Sequence, residues 1–264
     1  AQIYVVGHKN PDNDSIMAAY TYANLKNMTD ADNEYIPVRL GELPAESAMI
    51  FEEYGIEAPA LIERVGEGDV LMLVDHNEMG QAVDGIEDAE VAEIIDHHRI
   101  ADVSTSAPIT FINLPWGSTT SIITKLYEYF GIATDEQIAA CLLSAILTDT
   151  VILKSPTATE VDAKHVAELA QILGVDPVEF GMKIFKSRGG DDDVSIEDIC
   201  SRDSKEFNFG GKKCWIAQYE TVDLDGLRGR TDDIAAQVAK IQEEGGYDAA
   251  LMLLTDIIVE GSDF

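Results

Sequence analysis

The segment IYVVGHKNPDNDS, Ile3–Ser15, joins an apolar, β-branched run to an acidic loop and the start of a helical pattern. The run Ile3–Val6 predicts a buried strand, and the periodicity of Ser15–Asn27 predicts a helix. A buried strand that leads through a short polar loop into a helix is typical of a parallel α/β sheet. Residues in such loops lie at the carboxyl edge of the sheet, where functional side chains gather.

The same alternation of strand and helix patterns continues along most of the chain. Strands are predicted at Ile3–Val6, Tyr35–Leu40, Val70–Val74, Val91–Ile95 and Ile109–Leu114. Helices are predicted at Ser15–Asn27, Glu46–Tyr54, Ser118–Phe130, Gln137–Leu147, Thr159–Leu173 and Pro177–Phe185. The alternation predicts an α/β fold whose mostly parallel sheet is flanked by helices.

Three of the predicted helix starts carry local chemistry. Thr134 precedes Gln137, and Thr157 precedes Glu160, at the spacing of a capping box. Pro177 occupies the first position of its helix, where its missing N–H costs nothing. These residues predict where the three helices begin.

The segment SRGGDDDV, Ser187–Val194, interrupts the periodicity with glycines and aspartates. It predicts an N-terminal domain over residues 1–187, a linker over 188–194 and a smaller C-terminal α/β domain over 195–264. Within the second domain, Gly210-Gly211 lies between two strand-like runs and predicts a hairpin turn.

Charge and cysteine content exclude several classes of protein. Acidic residues outnumber basic ones 49 to 18, for a formal net charge of -31. A chain this negative repels phosphate backbones and anionic lipid, so the sequence predicts no nucleic-acid partner and no membrane partner. Its three cysteines are far apart and lack metal-ligand spacing, which predicts reduced thiols. Because no signal-like segment precedes Ile3 and no apolar run could span a bilayer, we expect a cytoplasmic protein.

Acids and histidines directly follow several of the predicted elements. The first strand is followed by GHKNPDNDS, the third by DHNE (Asp75–Glu78) and the fourth by DHH (Asp96–His98), while TDT (Thr148–Thr150) closes the fourth helix. Taken singly, each motif has an ordinary explanation, such as a solvated turn, a helix cap or a local hydrogen bond. Their recurrence at equivalent positions of one predicted sheet indicates a common site.

Carboxylates that converge in a partly buried site repel one another, and a divalent cation relieves that repulsion. Mixed imidazole and carboxylate ligands suit Mn, Fe, Co or Zn, and the absence of thiolates argues against structural zinc. There are enough candidate ligands for two ions, the arrangement that clamps a transferring phosphoryl group. The candidates are His8, Asp12, Asp14, Asp75, His97 and Asp149.

The motifs GHKNPDNDS, VDHNE, DHH and LTDT, in this order and at these spacings, resemble those of the DHH phosphoesterase superfamily. Within it, the chain is most similar to the family II, manganese-dependent inorganic pyrophosphatases. The resemblance implies a DHH domain joined to a DHHA2-like domain, with the active site in the cleft between them. It also implies two Mn²⁺ (or Co²⁺) ions per subunit, Mg²⁺ bound with the pyrophosphate substrate, and a homodimer formed through the N-terminal domain.

The family pattern implies a role for each matching residue. A hydroxide that bridges the two metals would attack pyrophosphate, His98 would face the substrate phosphate, and Lys205 in SRDSKEF would bind phosphate. Without the resemblance, Lys205 is an ordinary exposed lysine before a strand. The implied ligands are His8, Asp12 and Asp75 for the first metal, and Asp14, His97, Asp149 and the bridging Asp75 for the second.

One feature departs from the family pattern. Family members carry a Ser-Arg-Lys-Lys signature near the C-terminus, whereas this sequence ends at Phe264 without it, and we expect a truncated chain. One alternative function is that of another DHH-superfamily phosphoesterase that cleaves oligonucleotides or cyclic dinucleotides, which requires a basic or aromatic groove. A further alternative is a metal-dependent binding module without turnover.

Overall fold

The structure, a computed structural model, describes residues 1–189, 191, 194–201, 203–259 and 261–264. These residues form two compact units, Ala1–Ile184 and Phe185–Phe264. The predicted linker, 188–194, includes residues 190, 192 and 193, which lie outside the described residues. The domain limits predicted from the sequence stay predictions.

The first unit is built on a sheet in which every neighbouring pair of strands is parallel. Its strands are β1 (Gln2–Val6), β2 (Glu34–Arg39), β3 (Ala60–Leu61), β4 (Val70–Val74), β5 (Glu90–Asp96) and β6 (Thr110–Asn113). The strand order is β3-β2-β1-β4-β5-β6, so the chain proceeds in opposite directions from the β1/β4 boundary. A boundary of this kind is a topological switch point, where the loops at the carboxyl ends leave a crevice. The predicted α/β fold with a parallel sheet is confirmed.

The helices of the first unit are α1 (Asn13–Thr29), α2 (Ala45–Glu53), α3 (Thr119–Phe130), α4 (Glu136–Asp149), α5 (Glu160–Leu173) and α6 (Pro177–Lys186). Helix α4 is buried continuously from Ile138 to Thr148 because apolar and small residues surround its axis. It packs against α1, where Ala18 and Ala19 are fully buried. Among the helices of the described residues, none is both long and apolar enough to cross a membrane.

Two predicted helix caps were wrong. Helix α4 is capped by Asp135, whose side chain accepts a hydrogen bond from the backbone N–H of Ile138, and not by Thr134. Helix α5 has the predicted kind of capping box, but Thr159 and Asp162 form it, two residues beyond Thr157. A sequence with several possible caps leaves the choice to tertiary packing, which buries Asp162 completely.

The second unit is a smaller mixed α/β unit. Its elements are α7 (Ile196–Ser201), β7 (Ser204–Phe209), β8 (Lys212–Thr221), α8 (Leu224–Arg228), α9 (Thr231–Gly245), β9 (Ala249–Asp256) and β10 (Gly261–Asp263). The sheet order is β10-β9-β8-β7, with β8 and β9 parallel and the two outer pairs antiparallel. The predicted hairpin joins β7 to β8 through Gly210 and Gly211. Their φ angles of 60° and 87° lie in the left-handed region, which favours glycine.

The α5 capping box gives a stability test with a matched control. We expect Thr159→Ala to lower the free energy of unfolding by about 1 kcal/mol, because it removes an acceptor for a helix N–H and a partner of buried Asp162. Thr157→Ala should have a much smaller effect, since Thr157 is exposed and, among the described residues, its hydroxyl is hydrogen-bonded only to that of Ser155. Urea denaturation of both variants measures the difference, and equal losses would show that the cap contributes nothing.

Candidate metal centre

The loops after β1, β4 and β5 and the end of α4 bring the candidate ligands together at the switch point. All of the first-unit residues that the sequence singled out take part, and Asp75 and His97 each belong to two groups. The three groups, whose ligand atoms lie within 4.8 Å of one another, are His8, Asp12 and Asp75; Asp14, His97 and Asp149; and Asp75, His97 and His98. The role of these residues as metal ligands stays a prediction.

Asp75 is the first residue after β4, and its backbone has a left-handed conformation with φ of 62°. Aspartate is among the few residue types that adopt this conformation at modest cost. The backbone N–H of Asp75 donates to the carbonyl of Ile95 at 2.9 Å. Asp75 is therefore hydrogen-bonded to β5 although its own backbone has already turned away from the strand. The side chain is 1% exposed. The sharp turn therefore holds a buried carboxylate between the rings of His8 and His97.

Asp14 lies in the first turn of α1 and is held by the N-terminus of α3. Its Oδ2 accepts from the N–H of Thr119 at 2.7 Å, and its Oδ1 accepts from the N–H and the hydroxyl of Thr120 at 3.1 and 2.6 Å. The positive end of a helix dipole favours such a carboxylate. Sequence reasoning missed both threonines, because Ser-Thr-Thr at a helix start indicates only a cap.

The two histidines among the proposed ligands are oriented in the same way. Nδ1 of His8 lies 2.8 Å from the carbonyl of Lys9, and Nδ1 of His97 lies 2.9 Å from the carbonyl of Trp116. A backbone carbonyl only accepts, so each ring carries its proton on Nδ1 when neutral and leaves a lone pair on Nε2. The two Nε2 atoms face carboxylate oxygens at 3.3 to 3.6 Å.

Two buried atoms in this cluster, Oδ2 of Asp75 and Nε2 of His97, have no hydrogen-bond partner among the described residues. Buried polar atoms without a partner cost free energy unless something else satisfies them. Imidazole nitrogens with fixed tautomers beside carboxylates form a donor set that suits divalent transition metals. The residues present therefore fit the metal that the sequence predicts.

The charges of the cluster are unbalanced without a cation. Burial lowers the pKa of His8 and His97, but the carboxylates that they contact outweigh burial and raise these pKa values to about 11 and about 10. Burial, and then neighbouring carboxylates, raise the pKa of Asp14 to about 8 and that of Asp149 to about 9. The pKa of Asp75 is lowered because contacts with the two histidines outweigh its burial. Without a metal, the cluster therefore retains protons at neutral pH. These protons take the place of the cations that would otherwise balance the charge of the carboxylates.

Asp149 is the last residue of α4, and a strained turn follows it. Val151, Ile152 and Leu153 have φ angles of 49°, 52° and 64°. Ile152 donates its N–H to the carbonyl of Leu147 at 2.8 Å and is 5% exposed. The turn ends α4 abruptly and thereby fixes Asp149 at the end of that helix.

Asp96, the first residue of the DHH motif, supports the histidines of that motif. Its Oδ1 accepts from the N–H groups of His97 and His98 at 2.8 and 3.1 Å and lies 2.8 Å from Nδ1 of His98. Its Oδ2 accepts from the side-chain amide of Asn77, which also donates to the carbonyl of Arg99. The sequence placed Asp96 and Asn77 within the motifs but gave them no role, since only the fold shows their contacts.

A cavity of about 190 Å³ adjoins the cluster. Its lining includes His8, Asp75, His98 and Arg99. Arg99 is exposed, and its guanidinium has no ion pair within the described part of the chain. Lys205, by contrast, lies in the second unit, on β7 opposite Ile216, and is exposed.

Comparison with known proteins gives matches over nearly the whole chain. The model of the DHH family, N-terminal domain, matches residues 2–146, and the model of the DHHA2 domain matches residues 182–262. A manganese-dependent inorganic pyrophosphatase of Methanothrix thermoacetophila is 42% identical over 261 residues, which cover 99% of this chain and 83% of that protein. A probable manganese-dependent inorganic pyrophosphatase of Archaeoglobus fulgidus is 43% identical over 272 residues, with 99% and 84% covered.

A solved structure agrees with the sequence matches. The crystal structure of a putative family II inorganic pyrophosphatase of Methanococcus jannaschii has a TM-score of 0.69 and 36% identity, covering 98% of this chain and 85% of that one. With its parallel sheet, its DHH motif and these relatives, the chain belongs to the DHH family and, within it, to the family II, manganese-dependent inorganic pyrophosphatases. The family resemblance predicted from the sequence is confirmed.

The sharing of Asp75 by two groups predicts an asymmetry between variants. Asp75→Asn should weaken the binding of both ions, each by more than the roughly 10–100-fold loss typical when a residue that supports a ligand is removed. Asp12→Asn should weaken one ion only, because Asp12 belongs to one group. Manganese titrations followed by electron paramagnetic resonance measure both affinities. Equal effects of the two variants would contradict a bridging role for Asp75.

The pKa shifts predict that manganese binding releases protons. The pKa values of His8, His97, Asp14 and Asp149 are all raised, so these groups are protonated at pH 7 in the cation-free centre and must lose protons to bind a metal. The apparent affinity for Mn²⁺ should therefore rise with pH, and the rise should continue through the range of these pKa values, about 8 to about 11. Calorimetry in buffers with different ionisation enthalpies measures the protons released. Binding that is independent of both buffer and pH would contradict these pKa values.

Proposed function

We propose that this protein hydrolyses inorganic pyrophosphate to two phosphates and uses Mn²⁺ to do so. The observation that carries the proposal is a pair of adjacent carboxylate–histidine groups joined through Asp75. Relatives with about 40% identity are named manganese-dependent inorganic pyrophosphatases, which supports both the substrate and the metal. The centre lies at the switch point of a parallel sheet, the usual place for a ligand site in this architecture.

The proposed centre holds two ions per chain. When bound, such ions lower the pKa of a water molecule and offset the negative charge of a phosphoryl group. Mn²⁺ is the proposed metal, Co²⁺ has similar ligand preferences, and Mg²⁺ is proposed to accompany pyrophosphate. The proposed ligands are His8, Asp12 and Asp75 for the first ion and Asp14, His97 and Asp149 for the second. Asp75 is proposed as a ligand of the second ion as well, because its Oδ1 lies 3.5 Å from Nε2 of His97.

His98 is the proposed proton donor to the substrate. Its side chain is 52% exposed, and its Nδ1 lies 2.8 Å from Oδ1 of Asp96. That contact raises the pKa of His98, which favours the imidazolium form. The carboxylate fixes one end of the ring, so Nε2 is available to donate a proton or a hydrogen bond to a phosphoryl oxygen.

Lys205 is the proposed phosphate-binding residue of the second unit. Several cations of this acidic chain contact carboxylates, as Lys212 contacts Asp248 and Lys213 contacts Glu206. Lys205 is exposed and has no such pair among the described residues. A cation that is not neutralised by a neighbouring carboxylate is suited to an anionic substrate.

A homodimer formed through the first unit and a cytoplasmic location complete the proposal. Strand β6 is the last strand of its sheet, and Phe111 on it is 38% exposed. An edge strand with an exposed apolar side chain can pair with a second copy. The three cysteines are free thiols, in keeping with a reducing compartment.

Substrate comparison tests the proposed reaction. We expect the manganese-loaded protein to release phosphate from pyrophosphate and to release no mononucleotide from a short oligonucleotide or a cyclic dinucleotide. His98→Gln should lower kcat by about 10²–10⁴-fold while Mn²⁺ affinity stays within a few fold, because the residue donates a proton and binds no metal. Preferential cleavage of the nucleotides would replace this proposal with the phosphodiesterase alternative.

Lys205→Ala has a matched control within the second unit. We expect this variant to lower kcat/KM for pyrophosphate by about 10²-fold, since it removes a charged contact to the phosphoryl oxygens. Lys240→Ala removes an exposed lysine of α9 and should leave kcat/KM unchanged. Similar rates for the two variants would exclude Lys205 from substrate binding.

A further inference from the structure

Asp162, in the first turn of α5, is linked to His97 through a single peptide unit. The N–H of Gly117 donates to Oδ2 of Asp162 at 2.8 Å. The carbonyl of the same amide, which belongs to Trp116, lies 2.9 Å from Nδ1 of His97 and accepts from that ring. The hydrogen bonds therefore connect the carboxylate, the amide and the imidazole in one series, here called the 162–117–97 chain.

The amide between Trp116 and Gly117 is held in this orientation by close packing. A Cβ atom at Gly117 would lie 2.5 Å from a methyl carbon of Thr150 and 2.7 Å from Oδ2 of Asp162, so only glycine fits. Thr150 and Asp162 are both fully buried. The amide cannot rotate without disturbing the core, and its N–H and its carbonyl therefore keep their two partners.

The charge of Asp162 is not needed for the capping box in which this residue takes part. A neutral glutamine serves at the same position of a capping box. Oδ2 of Asp162 accepts from the N–H and the hydroxyl of Thr159, each at 2.7 Å, as well as from Gly117. Oδ1 is buried and has no hydrogen-bond partner among the described residues. A buried carboxylate with one unsatisfied oxygen costs free energy, which a cap alone does not explain.

A carboxylate can act on a metal ligand through an amide. Metal-binding histidines donate their second ring N–H to a carboxylate or a carbonyl, which fixes the ring and strengthens the electron pair of the other nitrogen. Hydrogen bonds in series polarise one another, so a carbonyl accepts more strongly when the N–H of its amide donates to a charged group. His97 has both kinds of partner, a carbonyl in contact and a carboxylate behind it.

His8 lacks this support and serves as an internal comparison. Its side chain is 12% exposed, as is that of His97, and its Nδ1 lies 2.8 Å from the carbonyl of Lys9. The N–H of the same amide belongs to Asn10, which is exposed, and that N–H donates to no carboxylate in the described part of the chain. The two rings therefore differ in what lies behind the carbonyl.

We propose that Asp162 is a positioning residue of the metal centre, which acts on His97 through the 162–117–97 chain. Its carboxylate orients the amide and strengthens the electron pair that Nε2 of His97 offers to a divalent cation. This inference rests on the metal centre of the proposed function but not on its substrate. Loss of an outer partner of a ligand typically costs about 10–100-fold in metal affinity, and an effect that passes through an amide should lie near the lower limit.

Manganese titration of the full chain, followed by electron paramagnetic resonance, tests this role. Asp162→Asn keeps an acceptor oxygen for Gly117 and Thr159 but removes the charge, so one of the two ions should bind about 10-fold more weakly. Thr159→Ala is the matched control, because it weakens the capping box and retains the carboxylate. It should leave the affinity for Mn²⁺ within a few fold although it lowers the stability. Equal losses of affinity in the two variants would show a purely structural role and overturn the inference.

The proton on Nδ1 of His97 gives a second measurement, which a loss of stability would not move. Nuclear magnetic resonance of protein loaded with Zn²⁺, a diamagnetic probe, reports the strength of its hydrogen bond. In the unsubstituted chain this proton should lie downfield of the corresponding proton of His8, a comparison that stands even if Asp162→Asn fails to fold. Asp162→Asn should move the His97 proton upfield and leave that of His8 in place. Coincident or reversed positions of the two protons would overturn the inference.

Pyrophosphate hydrolysis by the manganese-loaded samples separates this inference from the proposed function. A protein that releases no phosphate but shows the expected changes in affinity and in the His97 proton would overturn the function and support the inference. An active protein in which Asp162→Asn changes neither measurement would overturn only the inference.

Discussion

Repulsion among buried carboxylates is the constraint on which the rest of this structure depends. Asp14 and Asp75 are each 1% exposed, and Asp149 lies beside them. Charges of the same sign at such distances are costly where water is excluded. Two histidines and the donors around them reduce that cost in the cation-free chain, as the raised pKa values of His8 and His97 show. The cluster contributes little to the stability of the fold, so its presence indicates a binding or catalytic role.

The parallel sheet explains how such an unfavourable cluster can be maintained. Strands β1, β4 and β5 end side by side, and the hydrogen bonds between them continue to the residues where the loops begin. The buried helix α4 adds Asp149 from another direction. Each buried carboxylate therefore lies in, or directly after, an element that is packed into the apolar core, and the cost of the arrangement is spread over several elements.

The sequence predicts the sheet and the ligand set for a clear physical reason. Both depend on patterns that are local in the chain: apolar β-branched runs form strands, and Asp or His directly after such a run lies at the sheet edge. The supporting contacts cannot be found in this way. Thr120 reaches Asp14 across 106 positions of the sequence, and the amide of Asn77 reaches Asp96 from the loop after the neighbouring strand β4. The cap predicted wrongly at Thr157 has a related cause, because the burial of Asp162 decides between two threonines that lie two residues apart.

The left-handed turn after α4 has a mechanical consequence. Left-handed backbone costs roughly 1–2 kcal/mol for each residue that carries a Cβ atom, and Val151, Ile152 and Leu153 adopt it in succession. Such a conformation persists only while its surroundings enforce it, here through the burial of Ile152 against Gly181, where a Cβ atom would lie 2.7 Å from the isoleucine side chain. The position of Asp149 at the end of α4 therefore depends on the packing of Ile152 against Gly181, a contact between residues that bind nothing themselves.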